Sequence, residues 1–149
     1  MKVKIKRLDK SIPLPRYHTG ESAGFDIASA EDVMIPPGQV AKIPTGLVIA
    51  SPSGHFLLIS SRSSLALKKG LNMANGVGII DPDYAGPTDQ VHIIVHNFTD
   101  KPVSVAKGER LAQGIFLPIE QAEWEEVEMI RENDRGGIGS TGGYDFGKS

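Results

Sequence analysis

The chain has 149 residues, a length that fits one globular domain with a sizeable core. Sixteen basic and 18 acidic residues give a net charge of −2, so no positive field favours long nucleic acid and any phosphate binding must be local. Cysteine is absent, which excludes disulfides, thiolate metal ligands and cysteine nucleophiles. We find neither a bilayer-spanning apolar stretch nor a signal peptide at residues 1–8, and we expect a cytoplasmic protein without membrane or polymeric nucleic-acid partners.

Short β-strands are predicted along most of the chain, because apolar and polar residues alternate with a period of two. The alternation is clear at residues 2–6, and residues 34–40 are typical of strand, turn and strand around two prolines and a glycine. Further strands are predicted at residues 55–60, 78–80, 91–95 and 115–119. The 17 glycines and 10 prolines separate these short strands by turns. This pattern favours an all-β barrel or sandwich over βαβ units.

One short helix is predicted at residues 63–69, with Ser63 or Ser64 as its N-cap. Residues 122–130 are ambiguous, and we predict a strand there because apolar residues alternate with glutamates at its end. After Asp134 the chain becomes glycine-rich, and such a segment buries too little surface to order itself. We therefore divide the chain into a β-rich domain at residues 1–134 and a flexible arm at residues 135–149.

Residues 75–84 end an apolar run with two carboxylates, Asp81 and Asp83, and one aromatic ring, Tyr84. The glycines in this run let backbone approach a flat ligand, and a neighbouring carboxylate is able to deprotonate a water molecule. The same pattern is typical of a hairpin in which the two aspartates only shape the turn. Taken alone, the segment favours that structural interpretation.

Three further segments carry hydrogen-bond donors suited to phosphate. Arg62 precedes two serines at the start of the predicted helix, which is equally typical of an anion site and of a plain N-cap. Arg110 and Gln113 lie three residues apart, and here a strand with Arg110 in a structural salt bridge is favoured. Residues 137–142 match G-x-G-x-x-G without room for the helix and strand of a dinucleotide site, which leaves a phosphate-wrapping loop or a tail without ligand.

Histidine and serine chemistry is poorly supported by the spacing of these residues. His92 and His96 share one face of a predicted strand but lie roughly 13 Å apart, too far to bind one metal ion. The chain has no G-x-S-x-G motif of a serine hydrolase. Both histidines are therefore interpreted as ordinary strand residues.

Taken together and in order, five segments resemble the motifs of the trimeric deoxyuridine triphosphatase family. They are AGFD at 23–26, RSSLA at 62–66, GIIDPDY at 78–84, GERLAQ at 108–113 and the glycine-rich stretch at 135–142. The resemblance implies a jelly-roll-like distorted β-barrel with one short helix, and a homotrimer whose active sites lie at subunit interfaces. It implies that dUTP is hydrolysed to dUMP and pyrophosphate, which keeps uracil out of DNA and supplies dUMP, and that the arm of one subunit completes a neighbouring site.

The resemblance also assigns roles to residues around the phosphates. Asp81 would be the general base that activates a water molecule for attack on the α-phosphorus. Mg²⁺ would be chelated mainly by the triphosphate, with Asp26 reaching it through water. The substrate phosphates would be held by Arg62, Ser63, Ser64 and Gln113, and by Arg135, Gly139, Ser140 and Thr141 of the closing arm.

Base and sugar recognition would lie in the hairpin before Asp81. Backbone groups around Ile79 and Ile80, together with the amide of Asn75, would copy a Watson–Crick partner for uracil. Main chain near His92 would complete this set of hydrogen-bonding groups. Cytosine would leave some of these protein groups unpaired. Tyr84 would pack beneath the sugar and exclude a 2′-hydroxyl group.

The chain departs from the usual family motifs at three places. Ser64 stands where a glycine usually lets phosphate approach, and the loop at residues 84–90 is longer and lacks the usual arginine. Ile138 stands where a phenylalanine usually stacks on uracil, and Tyr144 or Phe146 is the candidate replacement.

Two rival functions follow from the same residues. The RSS sequence at residues 62–64 resembles dCTP deaminases, which share the barrel, but Ile94 stands where that family has its water-activating glutamate. Deamination is therefore disfavoured. A nucleotide-binding barrel without turnover is the other alternative, and the joint presence of Asp81, Arg62 and Gln113 with Arg135 argues against it.

Overall fold

The computed structural model describes residues 1–137, and in this range the chain forms eleven β-strands and one helix. The elements are β1 (Lys4–Arg7), β2 (Phe25–Ala28), β3 (Val33–Ile35), β4 (Val40–Pro44), β5 (Leu47–Ala50), β6 (His55–Ser61), α1 (Leu65–Lys69), β7 (Leu71–Met73), β8 (Gly78–Ile80), β9 (His92–Asn97), β10 (Val103–Val105) and β11 (Arg110–Pro118). None of the helical structure in this range approaches the length of a membrane span.

The strands pair antiparallel in four sheets within the described residues. The largest sheet has the order β2-β11-β6-β8, and a second sheet has the order β4-β9-β7. Two strand pairs, β1 with β5 and β3 with β10, complete the fold. The predicted all-β, jelly-roll-like fold is confirmed, although the sheets do not close into one continuous barrel between residues 1 and 137.

One hydrophobic core receives side chains from most of the strands. In β9 every second residue is buried, so Ile93 and Val95 enter the core while Ile94 and both flanking histidines face outward. Each fully buried isoleucine or valine contributes about 1.5–3 kcal/mol relative to exposure. The inner face of β9 therefore anchors the strand and leaves its outer face available for a ligand.

Buried polar side chains fix both ends of β9. Before its start, the Thr45 hydroxyl donates to the carbonyl of Val91 at 2.7 Å. At its end, the fully buried Asn97 amide donates to the carbonyls of Ile35 at 2.9 Å and Lys101 at 2.8 Å. Because these groups are satisfied inside the protein, β9 is held at a defined position against the rest of the fold.

The predicted helix is confirmed but shorter, since α1 begins after Ser64 and ends before Gly70, which adopts a left-handed conformation at φ 66°. Ser64 occupies the N-cap position without a side-chain capping bond.

The strand predicted at residues 122–130 is wrong. That segment has no regular structure, and its Trp124 and Ile130 are 91% and 88% exposed. Alternation alone does not make a strand, because no other described segment pairs with this one.

Candidate active site

A cavity of about 320 Å³ collects the residues predicted for base and sugar recognition. Its lining includes Asn75, Ile79, Ile80, Asp81, Tyr84 and His92, together with Lys42, Gly78, Gln90 and Ile94. The cavity lies where the turn between β7 and β8 passes from the three-stranded to the four-stranded sheet. The fold thus brings together residues that are separated in sequence by other strands.

Glycines shape the hairpin that forms one wall of this cavity. Gly76 has φ 71° in the turn, a conformation that side chains rarely tolerate. A Cβ atom at Gly78 would lie 3.1 Å from the Cβ of Ile59, so glycine permits close packing of β8 on β6. Because β8 is an edge strand, its outer edge lacks a partner strand among the described residues.

Asp81 follows β8 directly and lies at the cavity wall. Its carbonyl accepts from the N–H of Tyr84 at 3.2 Å, so the predicted turn is present. The Asp81 carboxylate is exposed and makes no hydrogen bond or salt bridge with another residue of the range 1–137. Among the lining residues in the described part of the chain, it is also the single carboxylate. The side chain is therefore available to accept a proton from water.

Tyr84 is 41% exposed and lines the same cavity. Its ring is therefore a wall of the cavity and is not a member of the hydrophobic core. A sugar placed beside Asp81 would meet this ring.

A second group of polar side chains surrounds Asp26 on β2. The Oδ1 atom of Asp26 lies 3.1 Å from Nε of Arg62, and Oδ2 lies 2.9 Å from an Nη atom of Arg110. The Asp26 side chain is only 12% exposed, whereas Arg62 and Arg110 are 32% and 50% exposed. Two guanidinium groups against one carboxylate leave a net positive charge, which suits an anionic ligand.

The predicted structural salt bridge of Arg110 is confirmed by this arrangement. For Arg62 the contact through Nε holds the side chain in place and leaves its terminal nitrogens unpaired within the described residues. Gln113 joins the group because it pairs with Asp26 on one side and Ser60 on the other. Two hydroxyl groups follow Arg62 directly, on exposed Ser63 and half-buried Ser64.

The two groups lie far apart within one protomer. Ile59 of β6 pairs with Gly78 of β8, and the strands run in opposite directions. Arg62 lies three residues beyond this pair at one end, and Asp81 lies three residues beyond it at the other. At about 3.3 Å per residue, the Cα atoms of Arg62 and Asp81 are roughly 20 Å apart. Within a single protomer, the cavity that contains Asp81 is therefore separate from the arginine group, which is the cluster of Arg62 and Arg110 around Asp26.

Comparison with known proteins decides the family. A model of the dUTPase family matches residues 10–142. The chain belongs to the dUTPase family. It is 42% identical over 144 residues to the deoxyuridine 5'-triphosphate nucleotidohydrolase of Nautilia profundicola, with 95% of this chain and 99% of that protein covered.

Solved dUTPase structures agree with this assignment. The dUTPase of Streptococcus mutans superposes with a TM-score of 0.75 and 32% identity, over 83% of this chain and all of that chain. The dUTPase of Staphylococcus bacteriophage 80alpha, solved with dUPNHPP, superposes with a TM-score of 0.83 and 28% identity, over 95% and 98% of the two chains. The cavity and the arginine group are thus features of a dUTPase-family fold.

Two cavity residues of this dUTPase-family chain were missed by the sequence analysis. Lys42 and Gln90 both line the cavity, but neither was assigned a role in the site from the sequence. Gln90 ends the longer loop noted above, and its Oε1 atom accepts from the N–H of Gly46 at 2.8 Å. The loop is also tied down because Lys6 donates to the carbonyl of Pro87 at 2.8 Å. Contacts with Gly46 and Lys6 therefore fix Gln90 and its loop against the rest of the fold.

Ile94 also lines the cavity, and its apolar side chain is unable to move a proton. Since Asp81 is the single acid in the described lining, residues 1–137 offer no second carboxylate beside a pyrimidine ring in this cavity. This observation weighs against cytosine deamination in this member of the dUTPase family.

The described residues suit a metal ion that arrives with the substrate. Between residues 1 and 137, no three acidic or histidine side chains cluster to form a cage. Each oxygen of Asp26 already accepts from an arginine but keeps a free lone pair. A hydrated divalent cation held by a triphosphate fits this donor set through a water-mediated contact.

The arm is only partly described. Arg135 lies in the described range and is exposed. Gly139, Ser140 and Thr141, together with Ile138, Tyr144 and Phe146, lie outside the described residues, so their predicted roles stay predictions.

His92 gives the cavity a pH-dependent group. Burial in the cavity wall lowers the pKa of the His92 imidazole below its usual value of 6.5, and the positive charge of Lys42 lowers it further. A backbone contact with Gln90 opposes these effects. The imidazole is therefore neutral at neutral pH.

A stability measurement tests this assignment. The unfolded chain binds a proton at His92 more readily than the folded chain, so its stabilising contribution is present above about pH 6.5 and is lost as the pH falls towards the lower folded-state pKa. Urea denaturation at a fixed protein concentration should show that His92→Gln loses less stability than the wild type between about pH 7.5 and 5.5. His96→Gln on the same strand face is the control. An identical loss in His92→Gln and the wild type would contradict the assignment.

Proposed function

We propose that the chain hydrolyses dUTP to dUMP and pyrophosphate. The observation that carries the proposal is the single cavity in which Asn75 and the outer edge of β8 adjoin the carboxylate of Asp81. Turnover would keep uracil out of DNA and supply dUMP. A cytoplasmic location, predicted from the sequence, accords with this role.

Asp81 acts as the general base. Its carboxylate takes a proton from a water molecule, whose oxygen forms a bond to the α-phosphorus as the bond from that phosphorus to the bridging oxygen breaks. Pyrophosphate leaves with the electron pair of the broken bond, and the proton on Asp81 passes to solvent. A positioned general base contributes about 10²–10⁴-fold to the rate.

The arginine group neutralises charge on the phosphates. Asp26 holds Arg62 through Nε, so the terminal nitrogens of Arg62 are free to donate to phosphate oxygens in a bidentate manner. Because this group is positioned before substrate binds, little reorganisation is needed when charge develops. Gln113 and the hydroxyls of Ser63 and Ser64 add neutral donors beside it.

The edge of β8 that faces away from β6 recognises the base. Residues Gly78–Ile80 pair with β6 on one side, which leaves backbone N–H and C=O groups on the other side for a ligand. Together with the amide of Asn75 and main chain near His92, these groups present fixed donors and acceptors to uracil. Cytosine, with a reversed pattern at one edge, leaves them unpaired.

Mg²⁺ is the proposed metal; the triphosphate would hold most of it, and Asp26 would contact it through water. When bound, the ion supplies positive charge that neutralises the phosphates and orients them.

A homotrimer with shared active sites is proposed for the assembly. The separation of roughly 20 Å between Arg62 and Asp81 in one protomer supports this, because an arginine side chain is too short to reach the reacting phosphorus beside Asp81. A second subunit that supplies Arg62 removes the difficulty, and the arm at residues 135–149 would close the site as a third contribution. The domain division at residue 134 follows from this role.

Mixing two inactive variants tests the shared site. We expect Asp81→Asn and Arg62→Ala subunits, refolded together, to regain activity, because Asp81 of one subunit meets Arg62 of another. With equal amounts and random mixing, about a quarter of the sites are complete. Each variant refolded alone is the control, and sedimentation counts the subunits. A mixture no more active than its components would contradict the shared site.

Product analysis tests the reaction. With Mg²⁺ and H₂¹⁸O, we expect dUTP to give dUMP and pyrophosphate with the label in dUMP, because water attacks the α-phosphorus. Label in pyrophosphate would move the attack to the β-phosphorus. Formation of dUTP from dCTP would indicate deamination, and binding without products would indicate the non-catalytic barrel.

A further inference from the structure

Lys42 stands in the cavity at a defined position. It pairs with Ile94 across the β4–β9 ladder, and the N–H of Ala74 donates to the carbonyl of Ile94 at 3.0 Å. Lys42 on β4, Ile94 on β9 and Ala74, the residue after β7, therefore form a row, and the row ends at the turn that carries Asn75. Lys42, Ile94 and Asn75 all line the cavity.

The ammonium group of Lys42 has no partner in the described range. Residues 1–137 offer it neither a hydrogen bond nor a salt bridge, whereas the ammonium of Lys69 lies 2.9 Å from the carboxylate of Glu109. Lys42 is exposed, so the group is solvated until a ligand arrives. Its charge also lowers the pKa of His92, which agrees with a location beside the cavity.

The row of Lys42, Ile94 and Ala74 lies at one particular end of the proposed nucleotide site. From the turn at Asn75, the chain runs along β8 to Asp81 and then to Tyr84. The proposed function puts the sugar and the α-phosphate at this end of the hairpin. The row that contains Lys42 is at the opposite end of the hairpin. In a pyrimidine, C4 lies across the ring from N1, the atom that carries the sugar. A base in this cavity therefore points its C4 substituent towards the row.

We propose that Lys42 is a specificity-determining residue that donates a hydrogen bond to the oxygen at C4 of uracil. The inference rests on the proposed function. A lysine ammonium has three donors and no acceptor. Uracil presents a keto oxygen at C4, whereas cytosine presents an amino group, so a donor would face a donor. The backbone of β8 discriminates uracil from cytosine, and Lys42 adds a charged hydrogen-bond donor that discriminates between the same two bases.

Three variants test this role by the preference for dUTP over dCTP, measured as the ratio of their kcat/KM values from pyrophosphate release. Lys42→Met keeps the length and removes the donor, and we expect the ratio to fall about ten-fold, through KM for dUTP, as for the loss of one charged hydrogen bond. Lys42→Arg keeps a donor and should retain most of the preference. Lys4→Met, on β1 and outside the cavity, should match the wild type.

An unchanged ratio in Lys42→Met would overturn the inference. A proportional loss with both nucleotides would also overturn it, because the charge would then act on the phosphates or on the C2 oxygen that both bases share. Where dCTP turnover is too slow, binding of dUMP and dCMP in an Asp81→Asn background supplies the same ratio. If wild-type protein released no pyrophosphate from dUTP, the proposed function itself would fail, which is a distinct result.

Discussion

Asp81→Asn is expected to lower kcat by about 10²–10⁴-fold while nucleotide binding persists. The amide has nearly the shape of the carboxylate but is unable to take a proton from water. Because Asp81 is exposed and its side chain makes no hydrogen bond or salt bridge with other described residues, we expect its replacement to leave the fold intact. Pyrophosphate release under saturating dUTP gives kcat, and calorimetry with a non-hydrolysable dUTP analogue gives the affinity.

Asp83→Asn is the matched control for this prediction. Asp83 lies in the same turn and is exposed but does not line the cavity. Its replacement removes the same charge from the same loop, and we expect nearly wild-type kcat. Equal losses in the two variants would mean that loop charge, and not proton transfer at Asp81, controls the rate. Wild-type turnover in Asp81→Asn would remove the general base from the mechanism.

Arg62→Ala is expected to lower kcat/KM for dUTP by about 10²–10³-fold, the cost typical of losing a preorganised donor to developing charge. The variant also leaves Asp26 with Arg110 as its single described partner, which reduces the positive charge of the group. Arg62→Lys should recover only part of the loss, because an ammonium group cannot contact Asp26 through Nε and still present a planar fork to phosphate.

Lys101→Ala is the control for charge in this experiment. Lys101 is an exposed cation whose side chain lies outside both the cavity and the arginine group. Steady-state kinetics with dUTP should be unchanged in this variant. If Arg62→Ala behaved like Lys101→Ala, the phosphates would have to bind elsewhere on the protein. Thermal unfolding of both variants separates loss of function from loss of structure.

Sequence patterns predicted local features of this protein well. The bounds of β8 and the turn that begins at Asp81 both follow from short-range rules about alternation and turn residues. The family resemblance also selected six of the residues that line the cavity. These predictions succeeded because each depends on neighbours in sequence or on a motif several residues long.

Features that depend on distant pairing were missed. Lys42 faces the cavity because β4 pairs with β9 in the register that sets it opposite Ile94, and no local pattern indicates that register. Gln90 lines the cavity because its side chain is held by Gly46. The prediction of a strand at residues 122–130 was wrong because a strand also needs a partner. Apolar and polar residues do alternate there, but no described segment pairs with it.

The most direct test of the account is a crystal structure of the protein with α,β-imido-dUTP and Mg²⁺. We predict uracil against the edge of β8, and a water molecule within hydrogen-bond distance of the Asp81 carboxylate and in line with the α-phosphorus. A nucleotide bound with Asp81 turned away from the α-phosphate, and with no water between them, would contradict the account.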